Sequence, residues 1–223
     1  MTTLLADYRT RLLNVLGDPS GNRYAVTQQD DAIRTALAEY SNANPDIKNL
    51  TFTAAAAGKD QIITGTSNLF QVIYVQYPTD LDPTLNVVQA WYFNNMGGVP
   101  TLHFVFNQPQ VGEQIDLAYT AAHTITNLDT AAATTVPPVH DALLCLGAAA
   151  HAAIARSTQI TEQMTQRASN SPQLAAWGQA RLAEFRVSLD LLSKSRSKIF
   201  FPNRGWALDQ WDKKPTGRDL PFI

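Results

Sequence analysis

The stretch Pro137-Pro138-Val139-His140-Asp141-Ala142-Leu143-Leu144-Cys145-Leu146-Gly147-Ala148-Ala149-Ala150-His151-Ala152-Ala153-Ile154-Ala155-Arg156 decides how this chain is organised. Val139, Leu143, Leu146, Ala150 and Ala153 recur at alternating intervals of four and three. That spacing puts them on one face of a helix that begins behind the two prolines and runs to about Arg156. Its many alanines leave room for a second helix to approach closely. A polar stretch from Thr158 to Ser171 either prolongs this helix or forms a loop. Ser171-Pro172 then supplies a cap and a proline suited to a first turn. Behind it Gly178, Leu182, Phe185, Leu189 and Leu192 give the apolar stripe of a helix of about 25 residues, ending near Lys198 with cations at its C-terminus.

The other end of the chain carries a matching pair. Leu4, Leu5, Tyr8, Leu12, Val15 and Leu16 keep the helical period, and Gly17-Asp18-Pro19-Ser20-Gly21 stops it with turn residues, which predicts a helix over about residues 2 to 16. Thr27-Gln28-Gln29-Asp30 has the form of a capping box, with Asp30 and Asp31 placed at the positive end of the next helix. Ile33, Ala36, Leu37 and Tyr40 form its apolar stripe, and Pro45 lies beyond its end.

Between the pairs the pattern changes. Thr51–Thr53, Gln61–Thr64, Phe70–Tyr77, Val87–Phe93, Leu102–Phe106 and Ile115–Tyr119 are short, aromatic and β-branched, and Gly58-Lys59, Pro78, Asp82-Pro83, Gly97-Gly98 and Pro109 punctuate them. These are the signals of an antiparallel sheet or small sandwich. No internal repeat is visible. The predicted class is α+β: an antiparallel helical bundle built from both ends of the chain, a β-rich insertion, and an extended C-terminal arm. The expected divisions are 1–48, 49–126, 127–198 and 199–223. Leu12, Leu16, Leu37, Leu143, Leu146, Leu182, Phe185 and Leu189 are the expected bundle core.

The arm has aromatic anchors without a folding period: Phe200, Phe201, Trp206, Trp211 and Phe222 among prolines and glycines. Disordered tails are poor in such residues, so the composition predicts docking on a surface. Lys194, Arg196, Lys198, Arg204, Lys213, Lys214 and Arg218 outnumber Asp209, Asp212 and Asp219, which favours an acidic target. That target is another chain, with the chain's own groove and the stacking of Trp206 and Trp211 on DNA as the competing readings.

Overall composition sets limits. At 223 residues and 45% hydrophobic, the chain can bury one sizeable core. A net charge of -2 and a pI near 6.0 give no global case for a nucleic-acid binder. The single cysteine, Cys145, excludes an internal disulfide and lies in an apolar run, as a small buried hydrophobe does. Asp7, Arg9 and Arg11 break Leu4-Leu5-Ala6 too early for a signal peptide, and no stretch is expected to span a membrane.

The search for chemistry ends without a constellation. His140 and His151 are eleven residues apart and return to nearly one helix face, yet about 16 Å separates them along a continuous helix, too far for one ion. His103 and His123 fall in the β region with no acidic cluster in the sequence around them. Ala57-Gly58-Lys59-Asp60 lacks the first glycine and the Ser or Thr of a phosphate loop and reads as a turn. An apolar helical setting raises the pKa of a thiol, which argues against Cys145 as a nucleophile. The expectation is a protein that is not an enzyme and has no metal or cofactor.

One resemblance extends this. Leu16-Gly17-Asp18-Pro19-Ser20-Gly21-Asn22-Arg23-Tyr24, the acidic helix start Asp30-Asp31-Ala32-Ile33 running to Glu39-Tyr40-Ser41, and Pro45 resemble the opening of head-to-tail connector proteins of tailed bacteriophages, also called adaptor or neck proteins. The likeness continues in Tyr119-Thr120-Ala121-Ala122-His123 and in Pro138 with Asp141-Ala142-Leu143-Leu144, in the same order along residues 1 to 198. It implies a structural virion protein of the neck, assembled in the host cytoplasm. Such proteins form a ring, commonly twelve-fold, that binds the portal protein, contacts its own neighbouring copies and the next neck or tail component, and continues the channel for genomic DNA. It further implies that the arm, with Phe200, Phe201, Arg204, Trp206, Trp211, Lys213, Lys214, Arg218 and Phe222, docks on the portal. The β insertion, absent from the smallest all-helical adaptors, departs from the pattern. Two other readings stand beside it: another tail-completion or stopper protein, and a carbohydrate- or ligand-binding module with Tyr74, Tyr77, Trp91 and Tyr92 as an aromatic platform.

Overall fold

Each segment with a helical period folds as a helix. The computed structural model describes residues 3–66, 69–77, 79, 91–95, 98–106, 108–162 and 171–200. Helix α1 spans Leu5–Val15 and α2 Val26–Ala43; a single 3-10 turn, Pro138–His140, leads into α3, Asp141–Glu162, and α4 spans Ser171–Phe200. The polar stretch after Thr158 thus prolongs α3 as far as Glu162. One core joins all of these helices. Leu5, Tyr8 and Leu12 of α1 meet Ile33, Ala36, Leu37 and Tyr40 of α2, Leu144, Cys145, Ala148 and Ala149 of α3, and Phe185 and Leu189 of α4. Ile125, Leu128 and Val136, from the segment before α3, close it.

The expected core residues divide. Leu12, Leu37, Phe185 and Leu189 are buried, while Leu16, Leu143 and Leu182 pack against the cluster from its margin. Leu146 is half-buried and lies outside it. Val139 is 82% exposed, because it sits in the 3-10 turn and does not share the phase of α3. Helix α3 touches α1, α2 and α4, so its buried residues surround it and do not form one stripe. This also corrects the expectation about membranes: Pro138–Thr161 is long and apolar enough to cross one, with a mean hydropathy of 1.3 in its richest window. Half of that window is buried, against three neighbouring helices.

The approach of α4 to α3 is close because glycine stands at the contact. A Cβ placed on Gly147 would lie 2.7 Å from the Phe185 ring, and one on Gly178 would lie 2.8 Å from Ile154 Cγ1 and 3.1 Å from the Ala150 carbonyl oxygen.

The start of α2 differs from expectation. Its N-cap is Ala25, whose N–H donates to Gln28 Oε1 at 3.1 Å, so the box lies two residues earlier than Thr27 predicts. Asp30 and Asp31 then fall in the second turn, where cations engage them in place of the helix dipole. Arg9 grips Asp30 with two bonds, at 2.8 and 2.7 Å, and Arg34 pairs with Asp31 at 2.6 Å.

The middle of the chain forms two three-stranded antiparallel sheets, and the class is α+β. Strands β1 (Asp46–Thr53), β3 (Leu69–Gln76) and β6 (Gln114–Ala121) make one, in the order β1-β6-β3; β2 (Asp60–Ile62), β4 (Trp91–Asn94) and β5 (Thr101–Phe104) make the other, in the order β2-β5-β4. Phe52, Val72, Val75, Ile115, Leu117 and Tyr119 of the first sheet share a core with Leu102 and Phe104 of the second. Strand β6 alternates by residue, with Ile115, Leu117, Tyr119 and Ala121 buried. Strand β1 begins at Asp46, inside the stretch assigned to the first helical pair, since Pro45 ends the helix and Asp46 already pairs with Ala121. Of the strand expected over Val87–Phe93, residues 87–90 lie outside the described residues.

Candidate functional site

Three buried polar side chains fix a turn and two long-range junctions of the fold, and each belongs to a motif that carries the connector resemblance. Asp18 is buried in the turn after α1. Its carboxylate accepts the Arg23 N–H at 2.8 Å and the Ser20 hydroxyl at 3.3 Å, and its carbonyl accepts the Gly21 N–H at 2.9 Å. Gly17, at φ +67, gives the chain the left-handed step that enters this turn. The turn delivers Tyr24 into a small cluster with Ala32 of α2 and Ala152 of α3. There the Tyr24 carbonyl accepts from the Gln29 side chain at 2.8 Å.

Asp141, the first residue of α3, is the second. Its carboxylate accepts from the Thr3 hydroxyl at 2.6 Å, the Tyr8 hydroxyl at 2.5 Å and Arg11 Nη1 at 3.0 Å. One buried acid thus ties the N-terminal helix to the C-terminal pair, and a carboxylate in the first turn of α3 also meets the positive end of that helix. Burial, then the hydrogen bond to Asp141, raises the Tyr8 phenol above its ordinary value, so it stays a donor.

His123 is the third, just past β6. Its backbone N–H donates to Ser41 Oγ at 3.0 Å, Nε2 lies 2.8 Å from the Asn44 carbonyl, and Nδ1 lies 3.0 Å from Thr135 Oγ1. A carbonyl only accepts, so the proton sits on Nε2 and Nδ1 takes the Thr135 hydroxyl. This imidazole joins the end of α2, the exit of the sheet and the loop toward α3.

The remaining histidines are likewise engaged. His140 Nδ1 is 2.6 Å from the Tyr40 hydroxyl, and His103 Nδ1 is 2.5 Å from Asp60 across the β2–β5 pair, a partner the sequence did not disclose. His151 Nε2 lies 3.2 Å from Glu39 Oε1 without hydrogen-bond alignment. Burial lowers the His151 pKa, and the Arg186 guanidinium lowers that of Glu39. Glu39 therefore links α2 to both α3 and α4. His140 and His151 have separate partners, the adjacent α2 residues Tyr40 and Glu39. Among the described residues no group of three or more His, Cys, Asp and Glu is placed to hold a metal ion. Burial pushes the Cys145 thiol up to about 12, which leaves no thiolate at neutral pH.

The four aromatics of the ligand-binding reading do not assemble. Tyr74 is on the outer face of the first sheet, and Tyr77 packs edge-on against Phe104 with ring centres 5.6 Å apart. Trp91 packs on the sandwich core, and Tyr92 stacks on His103 on the outer face of the second sheet, with centres 4.4 Å apart. They face three directions. Of the expected arm, Phe200 is the last residue of α4. Phe201, Arg204, Trp206, Trp211, Lys213, Lys214, Arg218 and Phe222 lie outside the described residues.

No protein-family model matches the chain, and no curated protein matches it. Among solved structures it is similar to a chain from the neck of an empty GTA particle computed with C6 symmetry, at 15% identity over 79% of this chain and 92% of that one, with a TM-score of 0.30. It is also similar to a chain from the neck of a native GTA particle computed with C12 symmetry, at 14% identity over 81% and 93%, with a TM-score of 0.29. Superpositions of that extent leave the fold and role of this chain to be argued from its own residues.

Proposed function

We propose that this chain is a structural protein of a phage-type neck, which forms a ring under the portal and extends the DNA channel toward the tail. The observation that carries the reading is that three buried groups, each from a separate motif of the connector resemblance, fix the architecture: Asp141 ties the N-terminal helix to α3, His123 ties the end of α2 to the exit of the sheet, and Asp18 fixes the turn between α1 and α2. A chance likeness of turns and caps has no reason to fall on the residues that fix the architecture. In this reading 1–45 and 127–200 build the ring wall, 46–126 projects from it, and 201–223 is the portal-docking arm. The partners are the portal protein, neighbouring copies, the next neck or tail component and DNA that passes without being read. The place of action is the virion neck after assembly in the host cytoplasm.

Ring subunits present different faces to their two neighbours, and weak contacts become firm once a template fixes their geometry. The isolated chain is therefore expected to be monomeric or weakly associated and to close into a ring only on its portal. Removal of everything after Phe200 keeps α4 whole and tests the arm. The shortened chain is expected to keep its circular dichroism and melting temperature and to lose binding to purified portal rings. Unchanged portal binding would contradict the assignment of the arm.

A further inference from the structure

The outer face of the first sheet carries a hollow of about 350 Å³, within the size range of small-ligand sites. Its shape follows from the register. Thr51 and Gln76 flank Asp116, and Asn49 and Tyr74 flank Ala118, in two rows across β1, β6 and β3. The small Ala118 on the central strand leaves a floor between the larger side chains on the outer strands. Tyr74 reaches this face only through an irregularity: Val72 pairs with Tyr119 and Tyr74 with Ala118, so Ile73 is an extra residue. In a regular ladder Ile73 would pair with Ala118 and Tyr74 would share the inward face of Val72; the bulge re-aims the side chain.

The hydrogen-bonding capacity of the hollow is mixed and largely unused. Tyr74 donates to Gln76 Oε1 at 3.2 Å and Thr51 donates to Asp116 Oδ1, so among the described residues the Gln76 amide N–H groups and Asp116 Oδ2 have no partner. Asn49 contributes both a donor and an acceptor. Asp116 carries the only carboxylate, and no basic side chain stands, among the described residues that line it, so an anion is disfavoured and one carboxylate is too few for a cation site. An aromatic wall, two amides and a carboxylate around a shallow floor suit a ligand with an apolar ring face and adjacent hydroxyls.

We propose that this hollow binds a neutral saccharide. The site uses Tyr74 alone of the β-region aromatics, and it stands independently of the neck assignment. The test is to screen the full chain on an array of neutral oligosaccharides and to titrate it with cellotriose, maltotriose and triacetylchitotriose. At least one neutral saccharide is expected to bind. Ala118→Leu, which fills the floor, and Asp116→Asn, which keeps the shape, should each weaken that binding by about tenfold or more, with circular dichroism and melting unchanged. The proposal is overturned if no neutral saccharide binds at millimolar concentration, if binding survives Ala118→Leu, or if the hollow takes only heparin or calcium.

Discussion

Asp141 holds the hydroxyls of Thr3 and Tyr8 and the guanidinium of Arg11, and the hydroxyl of Tyr8 is buried with it. Loss of this acceptor strands a buried donor. Asp141→Ala is expected to cost about 2 to 3 kcal/mol and Tyr8→Phe about 1 kcal/mol, read as shifts of the urea midpoint; equal and small shifts would show that water replaces the carboxylate. His151 gives a second test. Its pKa is lowered by burial, so the folded state holds it neutral while the unfolded chain, near 6.5, takes the proton first. Its contribution to stability is thus present above about pH 6.5 and is lost as pH falls through the lower folded value. The stability of wild type relative to His151→Gln is expected to decline between pH 7.5 and 5, and a flat difference would contradict the assignment. The pKa of Glu39 is lowered by Arg186, so the same sign applies at more acidic pH. The partners were not legible in sequence: Asp18 read as a turn residue, and Asp18, Glu39 and Asp141 entered only as parts of the connector resemblance, with no partner named for any of them. The partners of Asp141 and Glu39 lie up to 147 positions away, beyond the reach of local pattern.

At the scale of elements, period carried most of the information. Helices α1, α2 and α4 and strands β2, β3, β5 and β6 lie where apolar spacing put them, within a few residues. Strand β1 begins five residues before the expected Thr51, and residues 87–90 of the expected fourth strand lie outside the described residues. What period missed has a local cause in each case. The cap of α2 is the side chain of Gln28 reaching back to Ala25, and Ala25 has none of the usual capping chemistry to announce it. The buried surface of α3 is not a single stripe because three helices surround it. The extra residue Ile73 breaks the alternation of β3, which no count of two reveals. Glycine at the α3–α4 contact makes a clear prediction. Gly147→Ala adds helix propensity but drives its methyl into the Phe185 ring, and Gly178→Ala meets Ile154 and the Ala150 carbonyl. Each is expected to destabilise by about 1 to 3 kcal/mol in chemical denaturation. A stabilised variant would mean that the two helices can separate without loss.

For the whole molecule, both ends of the chain supply one helical core, and the sheets stand between them in sequence with a core of their own. Chain order made this architecture legible, because a helical pair at each end of a β middle closes most simply as one bundle. The function is carried differently. The proposed role rests on the buried groups Asp18, His123 and Asp141 and on the proposed docking of the arm on a second protein. The most direct measurement is electron microscopy of the neck of particles that contain this chain. The account predicts a closed ring of it in direct contact with the portal, with the segment after Phe200 on the portal surface. Density for the chain only in the distal tail, or none in the particle, would contradict it.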